Sequence, residues 1–325
     1  MGADPGWIDL PRGTYTHWQP RFSQARFLRS RPNASVQKRA SFDTLEDYMV
    51  NNTPFPLESD KPRIRTSVTV FLDVLGYREL MAGTGTTAEA NNLLERLHGA
   101  MKRAESWVSG AVSGRREIQH WVSRSFTDNI VVGYPIRDKS ALGEAEIGTM
   151  LWHVAMFQLE MIRAGFFVRG AISVGELYID DHMVFGKALI EAYHAEQNIA
   201  RVPRVVLARS AEELVKTHCC WYDPPNHAPQ NRALIRDPDD VAYIDYLDQT
   251  ILLAEDEMGP AFSELSEHRD RVSERLAKFQ HAPLIRPKYE WAARYHNHFC
   301  AAHSYSSEYL IDPKYLDYAP RPFIG

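Results

Sequence analysis

The sequence predicts an α+β fold: a mainly antiparallel sheet with helices packed on one face, the split βαβ arrangement of ferredoxin-like domains. Three observations predict it. Period-two alternation marks short strands from Arg65 onward. Stripes of period 3.6 mark helices between them. The segments follow one another as β-α-β-β-α-β-β-α-β over about 145 residues.

The first strand is RTSVTVFLDVLGY, in which Val68, Val70 and Leu72 share one face and Phe71 and Asp73 the other. Gly76 ends it. A helix over Thr87 to Val108 carries Ala90, Leu93, Leu94, Leu97, Met101 and Ala104 as its apolar stripe. EIQHWVSR and NIVVGYP then read as a hairpin around SFTD. The helix from Gly143 to Arg163 buries Ile147, Met150, Leu151, Val154, Phe157 and Met161, and Gly165 stops it. FFVRGAISVG and ELYIDDHMVFG read as a strand pair, KALIEAYHAEQNIA as a helix and PRVVLA as a strand. Ser210 and Glu213 have capping-box spacing for the helix after it. Farther on, VAYIDYL reads as one more strand, and helices are expected near 261–280 and 288–302, where Pro260 and Pro287 suit helix starts. This gives an N-terminal extension (1–60), a central domain (61–210) and a C-terminal extension packed on it as a helical layer (211–325).

Composition narrows the function classes. The chain has 325 residues, 44% apolar and 24% charged, which excludes wholesale disorder. With 42 acidic against 37 basic residues, a formal net charge of −5, neither nucleic acid nor an anionic membrane is an expected partner. No apolar run reaches the roughly 18 residues of a membrane helix. MGADPGWIDL lacks the regions of a signal peptide, and Gly6 stands where a myristoylation motif wants Ser or Thr. Three cysteines, Cys219, Cys220 and Cys300, make no disulfide framework, so a cytoplasmic protein is expected. Only residues 1–40 depart from this balance, with seven basic and two acidic residues. The stretch RFSQARFLRSRPNASVQKR within it reads as a solvated arm or strap, with an RNA or membrane contact as the alternative.

The feature that carries chemistry is a pair of carboxylates in apolar strands. Asp73 closes the first strand and Asp128 opens NIVVGY. An unpaired buried carboxylate is costly, so each needs a partner, either an arginine or helix N-terminus, or a cation. A sheet that sets the end of its first strand beside the hairpin brings both to one edge. Two carboxylates together suit hard divalent cations and two-metal phosphoryl chemistry.

FLDVLGYREL, SRSFTDNIVV and RGAISVGELYIDDHMVFGKALIEAYHAE resemble the metal loop, hairpin and following helix of the class III nucleotidyl cyclases. They resemble most the pyrimidine cyclases of the bacterial Pycsar antiphage system. The similarity covers roughly 65–208 and continues into KYEWAARYHNHFC. It implies a class III cyclase fold with two Mn²⁺ or Mg²⁺ ions per site, held by Asp73, Asp128 and the carbonyl of Val74. It implies catalysis by those two aspartates, in which the ribose 3′-hydroxyl attacks the α-phosphorus and pyrophosphate departs. Amides of Leu75, Gly76 and Tyr77 would hold the triphosphate, and Arg169 would border it or make an ordinary salt bridge. The active unit would be a homodimer with composite sites. Its cyclic nucleotide would be read by a separate effector outside any stable complex.

Departures from the purine cyclases set the base. Their Asn and Arg, four residues apart on the helix after the second hairpin, become Ile190 and His194, their base-reading lysine becomes Arg124, and their purine-reading aspartate falls near Met183. By resemblance Tyr77 and Arg124 then define a pyrimidine pocket. A guanidinium can donate to a uracil carbonyl, but cytosine offers acceptors too, so UTP is preferred and CTP stays open. A non-catalytic nucleotide sensor and a polymerase-palm relative are the other readings. GTGTTA at 83–88 lacks the context of a dinucleotide fingerprint. His296, Cys300 and His303 have helical spacing without a second pair of ligands, which favours packing over zinc.

Overall fold

Alternation in RTSVTVFLDV builds β1 (Arg65–Val74), the strand on which the rest of the sheet is organised. In the computed structural model, which describes residues 53–108, 121–137, 139–251 and 262–324, Val68, Val70, Leu72 and Val74 enter the main core. Phe71 enters a second cluster on the opposite face. A side chain of this size contributes about 1.5–3 kcal/mol when fully buried, so the alternation fixes both faces at once. The arm expected within residues 1–40 lies outside the described residues.

β1 leads through α1 (Tyr77–Ala82) to α2 (Thr87–Val108). The GTGTTA segment is a helix start: Glu89 Oε2 accepts from the amides of Gly85 and Thr86, and Thr86 Oγ1 accepts from that of Glu89. Of the expected stripe, Ala104 is fully buried, Ala90, Leu93, Leu97 and Met101 are half-buried and Leu94 is exposed, while Ala100, outside the stripe, is buried as well. The hairpin is β2 (Val122–Phe126) and β3 (Asn129–Pro135), turning at Thr127 and Asp128. Next comes α3 (Glu144–Arg163), with all six expected core residues buried. The two strands read from 166 to 186 are one long strand, β4 (Val168–Ile179), with a two-residue return, β5 (Val184–Phe185).

α4 (Lys187–Asn198) corrects the expectation that helices take one face. Ala192 joins the Phe71 cluster, the Tyr193 and Phe71 rings meet at 5.5 Å, and Ser173 Oγ donates to the Ala188 carbonyl at 2.6 Å. Its face of the sheet is also the face of Asp73. After β6 (Val205–Leu207) comes α5 (Arg209–Cys219). Ser210 is no cap there. Its hydroxyl accepts from the Val174 amide and donates to Glu191, tying α5 to β4 and α4.

The C-terminal segment is more than a helical layer. After α6 (Pro229–Ala233), it adds β7 (Leu234–Arg236), β8 (Ala242–Ile244) and β9 (Arg321–Pro322) to the same sheet. The strand order is β2-β3-β1-β4-β6-β8-β7-β9, antiparallel throughout except for β4 with β6. Its first four strands are in the ferredoxin-like order. Helices α7 (Phe262–Lys278) and α8 (Arg286–Ala302) complete the segment. They meet through a buried chain in which Tyr246 contacts His268, His268 contacts His296, and His296 contacts the Tyr309 carbonyl, at 2.8, 3.0 and 2.8 Å. At the mouth of β6, Arg204 holds both Asp237 and Asp239. Trp291 Nε1 donates to Asp237 at 2.8 Å, and the guanidinium, almost fully buried, lies over the Tyr243 ring.

Candidate active site

Sheet register assembles the site. β1 pairs Asp73 with Asn129 of β3 on one side and with Arg169 of β4 on the other. The Val74 amide donates to the Asp128 carbonyl at 3.1 Å, which draws the hairpin turn against the end of β1. The Asp73 and Asp128 carboxyl groups are close enough that Asp128 raises Asp73. Asp128 Oδ1 also accepts from Thr127 Oγ1 at 2.9 Å and Asn129 Nδ2 at 3.3 Å. The edge that the sequence pointed to therefore exists, and both carboxylates stand on it.

Around Asp73 lie Arg169, which the sequence set at the border of the site, and two charged residues that sequence reasoning missed, Glu196 and Lys288. Arg169 Nε donates to Asp73 Oδ2 at 2.8 Å, and its Nη2 lies 2.8 Å from Oε1 of Glu196, a fully buried residue of α4. Burial pushes the Asp73 carboxyl above its ordinary range, Arg169 works against that, and Asp128 adds to it. Glu196 is raised for the same first reason, again opposed by Arg169. Lys288, in the first turn of α8, is depressed by burial and by Arg169, while Glu79 and Asp73 oppose the shift. Asp73 and Arg169 are 96 residues apart, and only the β1–β4 register makes them partners.

The remaining expected residues are dispersed. Gly76 is left-handed, φ 77°, at the start of α1, a conformation that costs other residues about 1–2 kcal/mol. Leu75 is buried and its amide donates to the Phe167 carbonyl at 2.8 Å, so any backbone contact with phosphate falls to Gly76 and Tyr77. Phe167 is backed in turn by the Tyr289 ring of α8, 5.0 Å away and edge-on. Tyr77 is half-buried against the main core. Arg124 lies two strands from β1, where its Nε donates to the Asp180 carbonyl at 2.8 Å and its Nη2 pairs with Asp181. Tyr77 and Arg124 are not brought together within one chain. Ile190 and His194 are exposed on α4. His296 and Cys300 are buried, their contact 3.5 Å long, and burial holds His296 at about 4.

Among the described residues no group of three or more His, Cys, Asp or Glu is arranged to hold a metal ion. Asp73 and Asp128 supply two hard-oxygen donors, a set that suits Mg²⁺ or Mn²⁺, whose remaining positions go to substrate phosphates and water. Asp128 adds to the negative charge at Asp73 that Arg169 opposes. The donor chemistry fits such an ion. No described helix is long and apolar enough to cross a membrane.

No protein-family model matches the sequence, and no curated protein does either. Two solved structures are similar in outline. The adenylyl cyclase CyaB from P. aeruginosa is 13% identical with a TM-score of 0.40, over 56% of this chain and 94% of that one. A class III adenylyl cyclase-like ATP-binding protein from Pseudomonas aeruginosa is 11% identical with a TM-score of 0.35, over 46% of this chain and 35% of its own. Likenesses of this size say nothing about what the chain binds.

Proposed function

We propose that this protein is a nucleotidyl cyclase that converts a pyrimidine nucleoside triphosphate, UTP in preference to CTP, into its 3′,5′-cyclic monophosphate and pyrophosphate. The observation that carries the reading is the meeting of Asp73 and Asp128 at one sheet edge, beside the left-handed turn at Gly76. Asp73 and Asp128 would hold Mg²⁺ or Mn²⁺, together with the Val74 carbonyl. Such ions, when bound, supply charge neutralisation for the triphosphate and a more acidic 3′-hydroxyl. The chain's own part is to orient. The Gly76 and Tyr77 amides face phosphate oxygens, Arg169 borders the α-phosphate, and residues 61–210 form the catalytic domain.

Two sequence features support the pyrimidine preference. Ile190 and His194 cannot make the bidentate grip of the purine enzymes, and Arg124 offers a guanidinium to a base carbonyl. Tyr77 and Arg124 lie apart in one chain, which is consistent with a homodimer whose composite pockets take one residue from each copy. Met183, Phe185, Ile190 and Tyr193 are large apolar side chains left exposed around α4, a surface that a second copy would cover. The product would then serve as a second messenger in antiphage defence, read by a separate effector.

The test incubates the purified protein with ATP, GTP, CTP or UTP in Mn²⁺ and resolves the products, with Asp73→Ala as control. Cyclic UMP, lost in the control, is the expected result. Cyclic CMP alone would keep the reaction and change the base. Silence with all four nucleotides, repeated with lysate from infected cells, would sink the enzymatic reading in favour of a nucleotide sensor.

A further inference from the structure

Arg169 is held at both ends. Its Nε donates to Asp73 at 2.8 Å and its Nη2 lies 2.8 Å from Glu196, so neighbouring nitrogens of one guanidinium face two carboxylates. Asp73 alone would neutralise Arg169, so a second carboxylate is not needed for charge balance at that contact. Its burial is expensive: Glu196 is fully buried, and its other oxygen is bound by the Gln197 side chain at 2.7 Å. The geometry also leaves Glu196 little freedom. α4, which carries it, is pinned to β4 through Ser173 and to α5 through Glu191 and Ser210.

A cation arriving at Asp73 must compete with Arg169 for the same carboxylate. An arginine with no other anchor would either block the cation or be expelled into solvent. We propose that Glu196 is a positioning residue that retains Arg169 when a divalent cation takes Asp73, keeping the guanidinium at the edge of the site where a phosphate oxygen can meet it. The inference rests on the reading that Asp73 and Asp128 hold such a cation. Arg169 is thus shared between two anions, so that one can release it.

The experiment measures Mn²⁺ binding to the full chain by calorimetry and by electron paramagnetic resonance, without nucleotide. Asp73→Asn should abolish the binding. Glu196→Gln keeps the shape of the side chain and removes its charge, so Arg169 closes on Asp73 and the Mn²⁺ dissociation constant rises about tenfold. Adding Arg169→Gln to Glu196→Gln removes the competitor and should return the constant to within about threefold of wild type. The double variant removes the Glu196 charge together with its arginine and leaves Asp73 without that partner, so a melting curve taken beside each titration shows that the variant is folded. If Glu196→Gln lowers thermal stability but leaves Mn²⁺ affinity unchanged, Glu196 is a structural partner and the inference falls alone. Should the double variant bind Mn²⁺ as poorly as Glu196→Gln, the competition argument falls. Wild-type protein with no Mn²⁺ binding sensitive to Asp73→Asn would overturn the metal reading and this inference with it.

Discussion

Arg169 and Arg204 stand at the same level of neighbouring strands, because the parallel register sets Gly170 against Val205, and each grips two carboxylates. Around Arg204 the guanidinium and Asp237 are closed off, and Asp239 alone reaches solvent. The guanidinium is 4% exposed, a tyrosine ring covers it, and Trp291 takes part of the Asp237 charge. Around Arg169 the cluster is open, with Asp128 adding a carboxylate that no arginine among the described residues meets, and with Asp73 and Arg169 both reaching solvent. One arrangement spends its electrostatics on holding the chain together. The other leaves negative charge over at an accessible edge, which a stability-only design would have no reason to keep.

The largest test of that contrast is removal of the excess charge. Asp128→Ala should reduce cyclase turnover by more than about 10³-fold, with a melting temperature equal to or above wild type, since it relieves a like-charge contact with Asp73. Nucleotide assay and differential scanning calorimetry read the two effects separately. Arg204→Ala should do the reverse, losing about 3–5 kcal/mol in urea denaturation because Asp237 is left buried without its ion. Its Mn²⁺ affinity under native conditions should stay at the wild-type value.

A smaller effect comes from a buried titratable group with no ion partner. His153 lies between the Trp121 and Trp152 rings, and burial alone lowers it to about 4 from the ordinary 6.5. Between those values the unfolded chain binds a proton that the folded chain refuses, so acidification through that window destabilises the fold. His153→Phe should flatten the acid side of the stability curve by up to about 1.4 kcal/mol per pH unit. Denaturation at pH 7, 6 and 5 checks the slope, and an unchanged slope would mean that His153 is not a buried neutral group. The smallest expected change is Gly76→Ala. There is room for the methyl group, 3.6 Å from Glu79, so only the left-handed backbone costs energy, about 1 kcal/mol, and the protein should still fold. A raised KM with little change in kcat would assign the turn to substrate binding.

How much of this was legible before folding depended on range. Asp73 and Asp128 were found because alternation tells which residues end a strand, and a four-residue gap between two β segments tells where a hairpin turns. Arg169 was visible as a strand residue, but its pairing with Asp73 is a matter of register between strands 96 residues apart. Glu196 and Lys288 lay inside the quoted motifs IEAYHAE and KYEWAARYHNHFC but were given no role, since a charged residue on a helix reads as solvated until its packing is known. β7 and β9 were missed because runs of three and two residues are too short to display a period. The face taken by α4 was misjudged because the small residues that admit it, Ala188 and Ala192, carry little hydrophobic signal.

Phe167 has a further consequence. Its ring rests on Tyr289 and its carbonyl carries the Leu75 amide, so the last long helix acts as a buttress behind the loop that follows β1. A chain cut before residue 286 would keep Asp73, Asp128 and Arg169 in their strands and lose the support that sets the height of that loop. The far end of the polypeptide is thus mechanically part of its first strand.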